Sequence, residues 1–256
     1  MTEQQSSIYE VLKVFVRLCE EKGLRYWITG GTLLGAVRHG GFIPWDDDVD
    51  VHMPEEDYRR FLQLGDCLPE GYVIQNRDTD PRFPFLYSKL CNTAAPCPSR
   101  YASAPPGAGI DVFYLIPSKP LGAGTGLAFS LVKLVDYALR SRLGWREYVP
   151  NGRAARLAYR ALLRLPVRRL QALRDRAAAG IADPAGETLC CVGGPYHAAR
   201  EFFPAQWFDG AVPMLFEELE CRACPGWDAW LTQHYGDYLQ LPEESERVSH
   251  HEQFQG

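Results

Sequence analysis

Apolar residues recur at helical spacing from residue 8 to residue 22, placing Ile8, Leu12, Phe15, Val16 and Cys19 on one face. Gly23 follows as a C-cap glycine. Residues 24–29 are rich in β-branched and aromatic side chains and predict a short strand. Gly30, Gly31 and Thr32 break it, with Thr32 placed to cap a helix that runs to about His39 and stops at Gly40-Gly41. After Pro44 and Trp45, residues 47–53 predict a second strand. Pro54 fits the first position of a helix reaching about Leu64, with Glu55, Glu56 and Asp57 in its first turn. Further strands are expected at 72–75, 83–91 and 110–115, with a Pro-, Ser-, Ala- and Gly-rich loop at 96–109. The pattern is helical from 121 to 179, with breaks near Gly144, at 150–152 and at Pro166. Short strand-like pieces at 188–192 and 211–216, a helix at 227–235 and a polar tail complete the chain. The expected architecture is one α+β domain over residues 1–256, a mixed sheet with flanking helices and a helical insertion at about 120–185.

The strand at 47–53 carries unusual chemistry. Asp46, Asp47, Asp48 and Asp50 lie within five positions, and carboxylates packed so densely repel one another unless cations or protons offset them. Side chains alternate along a strand, so Asp48 and Asp50 share a face while Val49 and Val51 point into a core. Asp46 has the same parity and is expected at the mouth of the site, whereas Asp47 faces away. Asp111 sits between Ile110 and Val112 on another expected strand, where a carboxylate is costly unless it faces a site. Three carboxylates from two strands suit two Mg²⁺ ions, which take oxygen ligands and bridge phosphate oxygens; Mn²⁺ is the alternative. The glycine pair upstream offers backbone N–H groups to a phosphate. An ordinary solvated acidic turn is the competing reading, and the apolar alternation beside it argues against that. An EF-hand loop counted from Asp46 requires glycine at position six, where Val51 stands.

The wording of residues 26–54, YWITGGTLLGAVRHGGFIPWDDDVDVHMP, resembles the signature of the LicD family, which includes phosphocholine transferases and fukutin-type ribitol-phosphate transferases. The resemblance extends through residues 75–81, Lys89, residues 109–113, residues 203–208, and Tyr235 with His250 and His251, and is weakest at about 120–185. It implies a nucleotidyltransferase-like fold. The implied activity is transfer of a phosphate-linked group from a CDP-linked donor to a hydroxyl of a cell-surface glycan. It also implies metal and catalytic roles for Asp48, Asp50 and Asp111, with Gly30, Gly31 and Thr32 lining the donor phosphates. Tyr114 departs from the family pattern, which has proline after the phenylalanine, and this bears on loop geometry there.

Other residues keep two readings each. Arg38 suits a donor phosphate through its planar fork, or a helix C-terminus as a complementary cation. Lys89 suits a phosphate or carboxylate in the site, or a surface with its stem packed down. Trp27 and Trp45 could stack on a base, with packing as the default. His250 and His251 belong to the polar tail, which either folds over the site or frays.

Composition narrows the rest. The net charge of −5 argues against a nucleic-acid binder by bulk electrostatics. Neither a leader nor a membrane span is visible, since Lys133 and Asp136 interrupt the most apolar window; a cytoplasmic site, free or at the inner face of the membrane, is expected. The eight cysteines therefore read as reduced thiols, and the Cys221–Cys224 spacing has no clear second ligand pair for zinc. Eleven arginines crowd residues 140–176, with Arg156, Arg160 and Arg164 on one helix face beside a stripe of Leu157, Ala161 and Leu165. Such a face suits an anionic membrane surface, an anionic glycan or plain solvent. Two rivals to the transferase remain at this level. One is a nucleotidyltransferase that makes an activated conjugate. The other is a non-catalytic glycan- or membrane-binding module with structural Ca²⁺.

Overall fold

A computed structural model describes residues 1–95, 107–145, 149–243 and 247. The tip of the 96–109 loop, Cys97, Arg146, and the histidines at 250 and 251 lie outside the described residues. The fold is α+β, with a curled mixed sheet and flanking helices.

The sheet is organised on one long strand, β5 (Ala108–Ser118). Its first half lies between β2 (Asp50–Pro54), parallel to it, and β4 (Ser88–Asn92), antiparallel. β1 (Trp27–Thr29) extends the sheet beyond β2, and β3 (Tyr72–Gln75) extends it beyond β4. The second half of β5 pairs with β6 (Thr188–Cys190), which pairs with β7 (Phe202–Pro204). A separate hairpin joins β8 (Val212–Phe216) and β9 (Leu219–Ala223). The length of β5 lets one continuous strand join the site-bearing sheet to the segment that follows the helices.

Helix α1 (Glu3–Lys22) buries the apolar face anticipated from its spacing and packs on β5 and β4. Thr2 and Gln5 form a capping box at its start, and Gly23 closes it in the left-handed conformation. Val51, Leu90, Ile110 and Val112 are fully buried, on the sheet face opposite the carboxylates by strand alternation. Helix α3 (Glu55–Phe61) follows β2, with Pro54 as the last strand residue and helix cap rather than the first helical position.

Three helices follow β5: α4 (Ala123–Arg142), α5 (Arg153–Leu162) and α6 (Val167–Ile181). Val135, Leu139, Tyr159, Leu162 and Leu170 form a small core among them. Phe129, Val132 and Ile181 join Ile116 and Phe202 to seat the group on the second half of β5 and β7. The eleven arginines are not one surface. Arg174 is fully buried and Arg140 is directed inward, whereas Arg153, Arg156, Arg160 and Arg164 are exposed on and just beyond α5.

Two boundaries differ from the sequence expectation in ways that matter for the site. Helix α2 (Gly30–His39) begins two residues before Thr32, with Thr29 at its N-cap. Strand β2 begins at Asp50 rather than at residue 47. Residues before it form a turn in which Asp46 N–H donates to Ile43 O at 2.9 Å and Asp47 N–H to Asp46 Oδ1 at 3.1 Å. Gln5 Nε2 ties that turn to α1 by donating to Asp46 O at 2.8 Å and Ile43 O at 3.2 Å. Side-chain hydrogen bonds to a local backbone compete with the sheet ladder, and here they delay its start.

Candidate active site

Register brings the polar residues of five strands into one row. Thr29 lies opposite Asp50, Asp50 opposite Asp111, Asp111 opposite Lys89, and Lys89 opposite Gln75. Adjacent strands run about 4.8 Å apart, so Asp50 and Asp111 emerge side by side on the same sheet face. Asp111 N–H donates to Val49 O at 2.8 Å, which fixes the offset just where the turn meets β2. Lys89 Nζ makes an ion pair with Asp111 Oδ1. Burial disfavours the Lys89 ammonium, but Asp111 outweighs it and the amine is held above its ordinary range.

Asp46, Asp48, Asp50 and Asp111 line one cleft of about 370 Å³, together with Tyr87, Tyr196, Tyr235 and Arg140. Asp48 precedes the strand, in the irregular segment 46–49 that follows the turn at 44–45, and it reaches the cleft while Val49 beside it is buried. The charge is strongly frustrated. Burial first, and then Asp48, Asp111 and Asp46, push Asp50 well above the usual carboxylate range, with Lys89 opposing. Burial and then Asp48 raise Asp46 to about 8.

The glycine pair has an evident steric task. Gly30 adopts φ +57°, and a Cβ there would lie 2.6 Å from Asp50 Oδ2. A Cβ on Gly31 would strike the Asp46 carboxylate. The first turn of α2 thus lies directly against two of the carboxylates, and its positive end favours their charge. Thr32 is buried inside α2, and its Oγ1 accepts the Asp50 N–H at 2.9 Å. That contact pins the start of β2 to the helix.

Arg38 is placed elsewhere. It ends α2 and donates through Nη1 to Tyr238 O at 3.2 Å and Gln240 O at 3.1 Å, anchoring the C-terminal segment. Trp27 donates to Gly210 O at 2.8 Å, whereas Trp45 lines the cleft. Tyr114 lies within β5 and stacks on Tyr58 at 4.6 Å, so the departure from the family pattern falls on a strand and not on a loop.

Tyr87, Tyr196 and Arg140 had no clear signal in the sequence, and Tyr235 was marked only by the family resemblance. Tyr87 sits just before β4, packs on Phe113 at 4.5 Å, and is raised by burial and by Asp111 beside it. Tyr196 and Tyr235 share a hydroxyl–hydroxyl hydrogen bond of 3.1 Å across the cleft wall. Arg140 comes from α4, far along the chain, in a stretch where charge alone did not separate it from ten other arginines.

The carboxylates fit a hard divalent cation by donor chemistry and by their unrelieved repulsion. Among the described residues, no three His, Cys, Asp or Glu side chains form a ready-made cage. Mg²⁺ characteristically binds through one or two carboxylates and completes its shell with water and substrate phosphates, which this arrangement allows. Cys221 and Cys224 are free thiols, and burial raises both to about 12.

Residues 23–99, which contain α2, the acidic turn, β2 and β4, match the family described as LicD/FKTN/FKRP, nucleotidyltransferase domain. This part of the chain is similar to a LicD-family domain. Over 98% of its length the chain is 27% identical to the lipopolysaccharide cholinephosphotransferase LicD of Haemophilus influenzae, covering 96% of that protein. It is 47% identical over 71 residues to the human ribitol 5-phosphate transferase FKRP, of whose length it spans 14%. A 52-residue stretch is 33% identical to the mannosyltransferase regulator 4 of Saccharomyces cerevisiae. The LicD-family match ends before Asp111 and α4, so those walls of the cleft come from outside it.

Proposed function

We propose that this chain is a metal-dependent phosphotransferase that moves phosphocholine or a related alditol phosphate from a CDP-linked donor to a glycan hydroxyl, releasing CMP. The observation that carries this reading is the side-by-side register of Asp50 and Asp111 in a cleft with Asp48. Mg²⁺ or Mn²⁺ held by Asp48, Asp50 and Asp111 would neutralise donor phosphate charge. The likeness to the cholinephosphotransferase over nearly the whole chain supports the transferred group, and the likeness to FKRP supports the alditol-phosphate alternative.

The chain's own residues supply positioning and charge. The turn at 43–46, tied to α1 by Gln5, and the register of β2 with β5 hold the carboxylates in place before any ligand arrives. Gly30 and Gly31 let the backbone of α2 approach the carboxylates, and therefore the donor phosphates, without a side chain between. Lys89 keeps Asp111 oriented. We assign Asp111 as the group that receives the proton of the attacking hydroxyl. The new bond runs from the acceptor oxygen to the phosphorus of the transferred group, and the bond from that phosphorus to the CMP oxygen breaks.

No described helix is long and apolar enough to cross a membrane. A peripheral membrane or anionic-glycan contact through the exposed arginines of α5, beside an exposed Leu157, belongs to the same proposal, as does a cytoplasmic location. The test of the activity is incubation with a panel of CDP-linked donors and Mg²⁺ or Mn²⁺. CMP release supports transfer; pyrophosphate release from a nucleoside triphosphate instead would replace it with nucleotidyl transfer.

A further inference from the structure

Helix α4 turns one face toward the cleft. Lys133, Asp136 and Arg140 recur at spacings of three and four, so they share that face. Lys133 Nζ donates to Gly194 O, tying down the segment that contributes Gly193, Pro195 and Tyr196 to the cleft wall. Arg140 itself lines the cleft that holds the carboxylates.

The guanidinium of Arg140 is held on two sides. Its Nη2 donates to Asp136 Oδ2 at 2.8 Å, and its plane lies over the Phe85 ring at 4.7 Å. Asp136 is fixed in turn, because its Oδ1 accepts from Nη1 of the fully buried Arg174 at 2.6 Å, and Arg174 also reaches Pro84 O. An exposed ion pair on a helix is weak and mobile, but this one is buried, three-membered and stacked. The Arg140 fork is not fully used: its Nε has no hydrogen-bond partner among the described residues. A buried donor without an acceptor is costly, and a guanidinium presents its donors in the geometry that phosphate oxygens match.

We propose that Arg140 binds the phosphate oxygens of the anionic ligand in the carboxylate cleft, with Asp136 and Arg174 as positioning residues that preset its fork. This rests on the reading that the cleft handles a donor diphosphate. It gives the helical segment a role in the chemistry: four carboxylates alone would repel such a ligand, and α4 supplies a fixed cation to the same cleft. It also separates Arg140 from the arginines exposed on α5.

The test uses inorganic pyrophosphate with Mg²⁺ as probe, titrated calorimetrically into the full-length protein and into Arg140→Gln and Arg140→Lys. Charge-assisted hydrogen bonds of this kind set the expectation: Arg140→Gln weakens pyrophosphate about 10- to 100-fold, and Arg140→Lys recovers part of the loss by keeping the charge without the fork. Mn²⁺ affinity, read by electron paramagnetic resonance without pyrophosphate, stays near wild type, and circular dichroism shows both variants folded at the assay temperature. The proposal is overturned if Arg140→Gln binds pyrophosphate as the wild type does, if the wild type binds none, or if Mn²⁺ affinity falls in parallel. Loss of pyrophosphate binding in a protein that turns over no CDP-linked donor would leave the anion site standing and remove the transferase reading.

Discussion

Asp50 and Asp111 are direct register partners on the parallel strands β2 and β5, sixty-one positions apart in sequence and adjacent on one sheet face. Burial and neighbouring carboxylates hold Asp50 well above its ordinary range. The pair therefore stores repulsion that a cation would relieve. Replacing Asp50 with Asn removes the charge with little change in shape. Chemical denaturation of the metal-free protein at neutral pH is expected to show Asp50→Asn more stable than wild type by roughly 1–3 kcal/mol. Added Mg²⁺ should stabilise the wild type and leave the variant nearly unchanged.

The pH dependence of stability follows from three raised carboxylates and two buried histidines. Asp50 is raised well above its ordinary range, Asp46 to about 8 and Glu201, by burial, to about 7, so above the ordinary carboxylate range the folded state holds protons that the unfolded state has lost. Stability then falls as pH rises. His52 and His234 are lowered by burial to about 3 and about 4, so they oppose this trend, but only up to the ordinary histidine value near 6.5. Above that point the carboxylates act alone. The melting temperature of the metal-free protein should fall between about pH 6.5 and 8, with a slope of at most about 1.4 kcal/mol per pH unit for each group. A melt series with and without Mg²⁺ checks this, and Mg²⁺ should flatten the slope.

Gly30 carries both a left-handed φ of +57° and a close approach to Asp50. Gly30→Ala adds backbone strain and displaces a carboxylate at once. The expected cost is about 1–3 kcal/mol in stability, with loss of activity larger than that cost explains. Gly23→Ala, also left-handed but with open space around it, should show the strain alone and retain activity.

The buried Asp136 is the link between Arg140 and Arg174. Asp136→Ala leaves the fully buried Arg174 guanidinium without its carboxylate, which typically costs about 3–5 kcal/mol. Urea unfolding should show that drop, whereas Arg156→Ala on the exposed face of α5 should stay within about 0.5 kcal/mol of wild type.

Local pattern made much of this architecture legible. The apolar face of α1, the strand at 72–75 and the helix at 227–235 were read directly from spacing. Asp111 announced itself because a carboxylate between Ile110 and Val112 has to face a site. The limits were set by non-local contacts. Asp48 was singled out on the premise of a strand from 47, but Gln5 of α1 holds residues 43 and 46 in a turn, and nothing near Asp48 encodes that. Thr32 reads as a helix cap until Asp50 claims its hydroxyl. Arg140 was hidden for the same reason. Its distinction from Arg156 or Arg160 lies in Phe85, Asp136 and Arg174, two of which are tens of residues away in the chain.

The central claim is that Asp50 and Asp111 together hold the reacting centre of a phosphotransferase. It is tested most directly by CMP release from a CDP-linked donor with Mg²⁺, comparing wild type with Asp50→Asn and Asp111→Asn, each shown by circular dichroism to be folded. Abolished release in both folded variants, against measurable release by the wild type, is the predicted result. Near-normal CMP release by the two variants would contradict it.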